Sequence, residues 1–122
     1  MGGFIYIIGT IVFTVYGQIV LKWRMQIYNE LPVNIVEKVI YLIKLLLDPF
    51  ILSGFISAFI ASLFWMVAMT KFEISYAYPF TSLSFVLVFI ISIFLFSETV
   101  SVGKIIGLLL VVAGVIVTSK SL

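Results

Sequence analysis

The stretch FIYIIGTIVFTVYGQIVL, Phe4–Leu21, decides how the rest of the chain is read. It holds eighteen residues without a charged side chain and then meets Lys22-Trp23-Arg24. A helix crossing a bilayer needs about 20 mostly apolar residues. No water reaches the backbone inside lipid, so such a run satisfies its N–H and C=O groups only as a helix. A secretory leader would carry a positive segment first and a small-residue cleavage site afterwards. Neither flanks this stretch, which is expected to persist as a mature span with no separate targeting segment.

Three further runs follow, from about Phe50 to Met69, Tyr76 to Phe96 and Val102 to Val117. Lys71 and Glu73 follow the first of these, Ser97-Glu98-Thr99 the second and Lys120 the third. Composition agrees: of 122 residues, 64% are hydrophobic and 10% charged. A soluble domain is about half apolar and about a quarter charged. The expectation is one all-α membrane domain over residues 1–122 with four transmembrane helices. The β-branched residues of the last two spans do not change this, because an isolated strand leaves its backbone unpaired in lipid.

The connection between the first two spans has a different pattern. From Asn34 to Asp48 the polar residues Glu37, Lys38, Tyr41, Lys44 and Asp48 recur every three to four positions, and apolar residues fill the remaining arc. That periodicity predicts a short amphipathic helix, entered after Pro32 and stopped at Pro49. Beside four spans, it is expected to lie in the membrane interface. Lys22, Arg24, Lys38, Lys44 and Lys104 flank one side of the bundle, against Lys71 and Lys120 on the other. The positive-inside rule then puts both termini outside.

Several chemistries lack their residues. The chain has no cysteine and no histidine, which removes disulfides, thiolates and the commonest acid–base residue and metal ligand. The sequence carries no nucleophile–base pair, no metal-ligand cluster and no phosphate-cradling loop, so neither an enzyme nor a cofactor is expected. A dispersed net charge of +2 gives no nucleic-acid footprint.

What remains are polar and small residues inside the spans. Thr10, Thr14, Gly17 and Gln18 share one face of the first span, and Lys22 continues the stripe. Polar side chains are costly against lipid, so this face should meet another helix or a wet cavity. The threonines read equally as groups bonded to their own helix carbonyls. Gln18 offers both donors and acceptors, and a lysine near the interface suits an anionic group. In the second span Gly54, Ala58 and Ser62 form a small-xxx-small register, which reads as close packing. Trp65 reads either as a stacking surface for a sugar or aromatic ligand or as a packing aromatic. The third span opens with polar positions Tyr78, Thr81, Ser82 and Ser84 around Pro79, which can kink a helix or sit in its first turn. Thr99 or Ser101 can cap the fourth span, with Glu98 near that helix's positive end. Gly107, Ala113 and Gly114 leave a smooth groove along the fourth span. Four short helices enclose little volume, so a homodimer built on that groove is the economical transport path.

These residues resemble the drug/metabolite transporter superfamily, in its small four-helix members. The likeness to small multidrug resistance proteins covers the whole chain, from Phe4-Ile5-Tyr6 to the dimerisation stretch Gly107–Val115. Their membrane-embedded glutamate, on which proton-coupled export depends, corresponds to Thr14 here. The chain is more similar to the paired EamA-like subunits that flip aminoarabinose-linked undecaprenyl phosphate. That likeness rests on Gly17-Gln18 with Lys22, on Ala77-Tyr78-Pro79 with Ser82-Leu83-Ser84, and on Glu98 with Val100-Ser101. Residues from about Pro32 to Pro49 have no counterpart in it. The resemblance implies a flippase for a polyprenyl-phosphate-linked monosaccharide in the plasma (inner) membrane. It would be a homodimer, or a heterodimer, with Thr14, Gln18, Lys22, Trp65, Tyr78, Ser82, Ser84 and Glu98 toward the substrate. Two other readings stay open: a small-molecule exporter coupled through Glu98 or Glu73, and a non-transporting partner subunit of a membrane enzyme.

Overall fold

A computed structural model describes residues 2–28 and 31–120. The described residues form helices only: α1 (Phe4–Ile27), α2 (Ile35–Leu45), α3 (Pro49–Lys71), α4 (Ile74–Thr81), α5 (Leu83–Phe96) and α6 (Val102–Lys120). Four helical segments are long and apolar enough to cross a bilayer: α1, α3, α4 with α5 as one span, and α6.

Local sequence explains the ends. Lys22 and Arg24 end the apolar run but not the helix, which continues to Ile27. Both are long side chains that can carry their charge to the interface, and Arg24 lies in the last turn, where the helix dipole favours a cation. Asn34 caps α2 by accepting from the Val36 N–H at 2.9 Å. Asp48 caps α3 by accepting from the Phe50 and Ile51 N–H groups at 2.8 and 3.4 Å, with Pro49 in the first turn. Ser101, rather than Thr99, caps α6 by accepting from the Lys104 N–H at 3.2 Å.

The third span breaks at Ser82, three residues beyond Pro79. Side-chain hydroxyls account for the break. Thr81 Oγ1 donates to the Tyr78 carbonyl and Ser84 Oγ to the Thr81 carbonyl, both at 2.6 Å. Those carbonyls would otherwise accept from the N–H groups of Ser82 and Phe85. The two N–H groups turn instead to Pro79 O and Ser82 O, each at 3.0 Å. Hydroxyl back-bonding of this kind tightens and bends a helix.

α1 packs against α3, α4 and α5, while α6 packs on α4 and α5. The core centres on Ile7, Ile11 and Val15 of α1 with Ala68 of α3 and Ala77 of α4. Phe4, Phe72, Tyr76 and Phe80 close that end as an aromatic cluster, with ring centroids 5.1–6.5 Å apart. α6 contributes little to this core, and Val115 is its one buried residue.

A polar groove between α1 and α3 as candidate functional site

α1 and α3 meet at Gly17 and Gly54. A Cβ added to Gly17 would stand 3.0 Å from the Gly54 carbonyl oxygen, so the backbones touch there. Two cross-helix hydrogen bonds join the same seam. Ser57 Oγ donates to the Phe13 carbonyl at 2.6 Å, and Thr10 Oγ1 donates to Tyr6 O at 2.8 Å and Ala61 O at 3.4 Å. Beside this contact the small side chains of Ala58, Ala61 and Ser62 keep the α3 surface low. The result is a groove of about 350 Å³, lined from α1 by Thr10, Thr14, Gly17, Gln18 and Leu21, and from α3 by Gly54, Phe55, Ala58, Ala61, Ser62 and Trp65.

The expected polar stripe of α1 therefore faces the expected small-residue stripe of α3. Thr10 and Ser62 are satisfied by helix carbonyls. Among the described residues, the Thr14 hydroxyl, the Gln18 amide and the Trp65 indole N–H have no hydrogen-bond partner and remain free for a ligand. Tyr78 of α4 is not among the groove's lining residues but stands edge-on to Trp65, with centroids 6.0 Å apart. Among the described residues, no carboxylate lines the groove.

Other expected residues stand elsewhere. Ser82 lies at the helix break, and the Ser84 hydroxyl donates to Thr81 O; neither lines the groove. Lys22 follows the groove's last α1 residue, Leu21, and its ammonium lies 3.7 Å from Glu98, with the two side chains 50% and 39% exposed. That geometry makes a weak surface pair. Glu98 borders a separate cavity of about 240 Å³ with Ser92, Thr99 and Lys104. Gly107 and Gly114 lie on the open side of α6, where an added Cβ would meet nothing within 4 Å, and Ala113 is exposed on the same helix. Among the described residues no acidic, His or Cys cluster is arranged to hold a metal ion.

Two features were not anticipated. The first is a charge cluster locking the end of α1 to the start of α3. Arg24 Nη2 and Nε donate to Asp48 Oδ2 at 2.6 and 3.2 Å, and the Tyr28 hydroxyl donates to the same oxygen at 2.7 Å. The guanidinium lies over the Trp23 and Phe50 rings, both at 4.9 Å. The Tyr28 hydroxyl, then Arg24 and the Phe50 and Ile51 N–H groups, hold the Asp48 carboxyl down at about 2 against the opposing effect of burial. Asp48-Pro49 carried the signal for this, a capping acid before a first-turn proline. The second feature is an apolar cleft of about 460 Å³ between α2 and the α1–α3 pair, lined by Val39, Leu42, Ile43, Leu45 and Leu46 with Leu21, Met25, Ile51 and Phe55.

The EamA-like transporter family matches residues 1–120. A probable 4-amino-4-deoxy-L-arabinose-phosphoundecaprenol flippase subunit ArnF from Erwinia tasmaniensis is 29% identical over 120 residues, 93% of this chain and 91% of its own length. The ArnF subunit from Aeromonas hydrophila is 28% identical over 116 residues, 93% of this chain and 77% of its own. A probable ArnE subunit of the same flippase from Pseudomonas aeruginosa is 40% identical over 57 residues, 47% of this chain. The match spans half the length of that ArnE relative. No solved structure matches the chain significantly. These relatives are transporter subunits, not enzymes, and the four apolar helices make this a multi-pass protein of the inner membrane. The chain belongs to the EamA-like transporter family.

Proposed function

We propose that this protein is a flippase, or one subunit of a flippase, for a polyprenyl-phosphate-linked monosaccharide. The observation that carries the reading is the chemistry of the α1–α3 groove. It offers the free hydroxyl, amide and indole N–H of Thr14, Gln18 and Trp65 in a largely apolar trough, with no carboxylate among the described residues that line it. Neutral donors and acceptors suit a sugar, and an indole face suits its C–H surface. Moving only the head through a polar trough avoids stranding its hydroxyls in hydrocarbon.

The phosphate goes to Lys22. Its pair with Glu98 is long and half-exposed, so a phosphate can replace the carboxylate with a stronger charge-assisted hydrogen bond. Tyr78 extends the head-group surface beyond Trp65. A coupled cation exporter would need an acid in its path. Glu98 is paired outside the groove, and Glu73 stands at the N-terminus of α4. A second chain completes the path. The relatives are named as flippase subunits, and the open α6 face with Gly107, Ala113 and Gly114 is where a second copy or a paired subunit would pack. The amphipathic α2 lies in the interface, its apolar residues toward the bilayer interior.

Translocation of a polyprenyl-phosphate monosaccharide in proteoliposomes tests this directly. Lys22→Ala is expected to lower the rate by roughly tenfold or more, since a hydrogen bond to a charged group is worth about 1.5–3 kcal/mol. Gln18→Ala should lower it by roughly two- to tenfold, since a neutral hydrogen bond is worth about 0.5–1.5 kcal/mol. Normal rates in both variants would remove their assigned roles. A rate that depends on a proton gradient and on Glu98 would favour the exporter.

A further inference from the structure

The geometry points to a second compartment of the same site: the apolar cleft beneath α2 seats the first units of the substrate's polyprenyl chain while the head group occupies the groove. This rests on the flippase reading and adds to it a determinant of chain recognition.

The groove and the cleft share Leu21 and Phe55. On α1 the lining residues Thr14, Gln18, Leu21 and Met25 recur every three to four positions, so one helix face runs through both compartments. Its chemistry changes from polar to apolar at Leu21. α3 repeats the pattern, with Ile51 on the cleft side of Phe55 and Trp65 at the far end of the groove. Val39, Leu42 and Ile43 of α2, with Leu46 just past its end, roof the cleft. A ligand spanning both compartments must have a polar head joined to an apolar chain, which a polyprenyl-phosphate sugar has. At about 350 and 460 Å³, each compartment falls in the size range of a small-molecule site, about 300–1,000 Å³.

An apolar cleft in a membrane would otherwise fill with any lipid tail, because lipid is as apolar as leucine. The substrate's own chain has one advantage over free lipid. Tethered to a head already held at Thr14 and Gln18, it is present at high effective concentration beside Leu21 and Phe55. The cleft therefore discriminates by the presence of a chain next to the phosphate and does not set whether the head group binds at all. The chain stays on the α2 side of the bundle while the head sits deeper, at the level of Thr14 and Gln18.

The test compares translocation of a monosaccharide phosphate carrying the full undecaprenyl chain with one whose phosphate carries only a methyl group, too small to reach the cleft. Leu42→Trp fills the cleft without touching the groove. It should lower translocation of the long-chain lipid roughly tenfold, the scale on which one apolar pocket contact discriminates, and leave the methyl compound unchanged. Unaltered long-chain translocation overturns the proposal. If the variant loses both equally, the unaltered protein decides: a diazirine on the isoprene next to the phosphate should crosslink to the α2 peptide. Crosslinks confined to other helices overturn the proposal. Failure of the unaltered protein to translocate either compound would sink the flippase reading first, and this inference with it.

Discussion

Gly17 and Gly54 face each other across the α1–α3 seam, whereas Gly107 and Gly114 on α6 face open space. In the sequence these pairs look alike, as small residues spaced along apolar helices. In the structure they differ in every physical respect. The first pair brings two backbones into contact and is reinforced by the Ser57–Phe13 hydrogen bond and the Arg24–Asp48–Tyr28 cluster. The second lies on a helix with one buried residue, and among the described residues nothing stands within 4 Å of where its Cβ atoms would be, though Gly107 borders a cavity with Phe85 and Phe89 of α5. A small-residue stripe permits close approach, but it does not say what approaches. At the seam the small residues serve packing within the chain; on α6 they leave a face open, which we propose receives another chain.

The most damaging way to break the comparison is to put a branched side chain at the seam. Gly17→Val would drive methyl groups into the Gly54 carbonyl, which is backbone and cannot rotate away. We expect a loss of about 1–3 kcal/mol, as for other overpacked interiors, together with a splayed groove. Thermal unfolding in detergent measures it, and an unchanged transition would mean the helices do not meet there.

The charge cluster gives a pH-dependent version of the same test. The Asp48 carboxyl titrates at about 2 in the folded protein against an ordinary 3.8. Its contribution to stability is therefore complete above 3.8 and lost as the pH falls toward about 2. Asp48→Asn keeps the helix cap but not the charge. The stability gap between wild type and variant should be widest above pH 3.8 and close below it. A gap independent of pH would place the stabilisation in the cap alone.

The smallest effect on the single chain is expected at the other glycine pair. Gly107→Ala and Gly114→Ala add methyl groups that meet nothing within 4 Å. Chain stability should stay within about 0.5 kcal/mol of wild type, while any complex built on α6 shifts toward free protomers in detergent sedimentation. A monomer destabilised as much as by the Gly17 substitution would erase the distinction between the two faces.

Much of this was legible without coordinates, because lipid simplifies the reading. Four apolar runs can only be helices, and the stripe Thr10, Thr14, Gly17 and Gln18 could only be turned away from lipid. The small residues of α3 were identified as a packing face, and that face is also the floor of the groove. The parts that escaped depend on partners distant in sequence. Arg24 and Asp48 look like ordinary charges at two span ends until the fold brings them within 2.6 Å. Lys22 and Glu98 are separated by two whole spans. The break at Ser82 was hidden by Pro79, which drew the kink to itself. The hydroxyls of Thr81 and Ser84, by taking over two helix carbonyls, moved the break beyond it.

The central claim is that the α1–α3 groove, and not the α6 face, is the wet, substrate-bearing surface. The chain's lack of cysteine allows single cysteines to report on it without background. In proteoliposomes, Ser62→Cys, in the groove lining, should react with a membrane-impermeant maleimide and be protected by the polyprenyl-phosphate monosaccharide. Leu109→Cys, on the exposed apolar surface of α6, should not react. An unreactive Ser62→Cys in a folded protein, or labelling that the lipid-linked sugar leaves unchanged, would contradict the account.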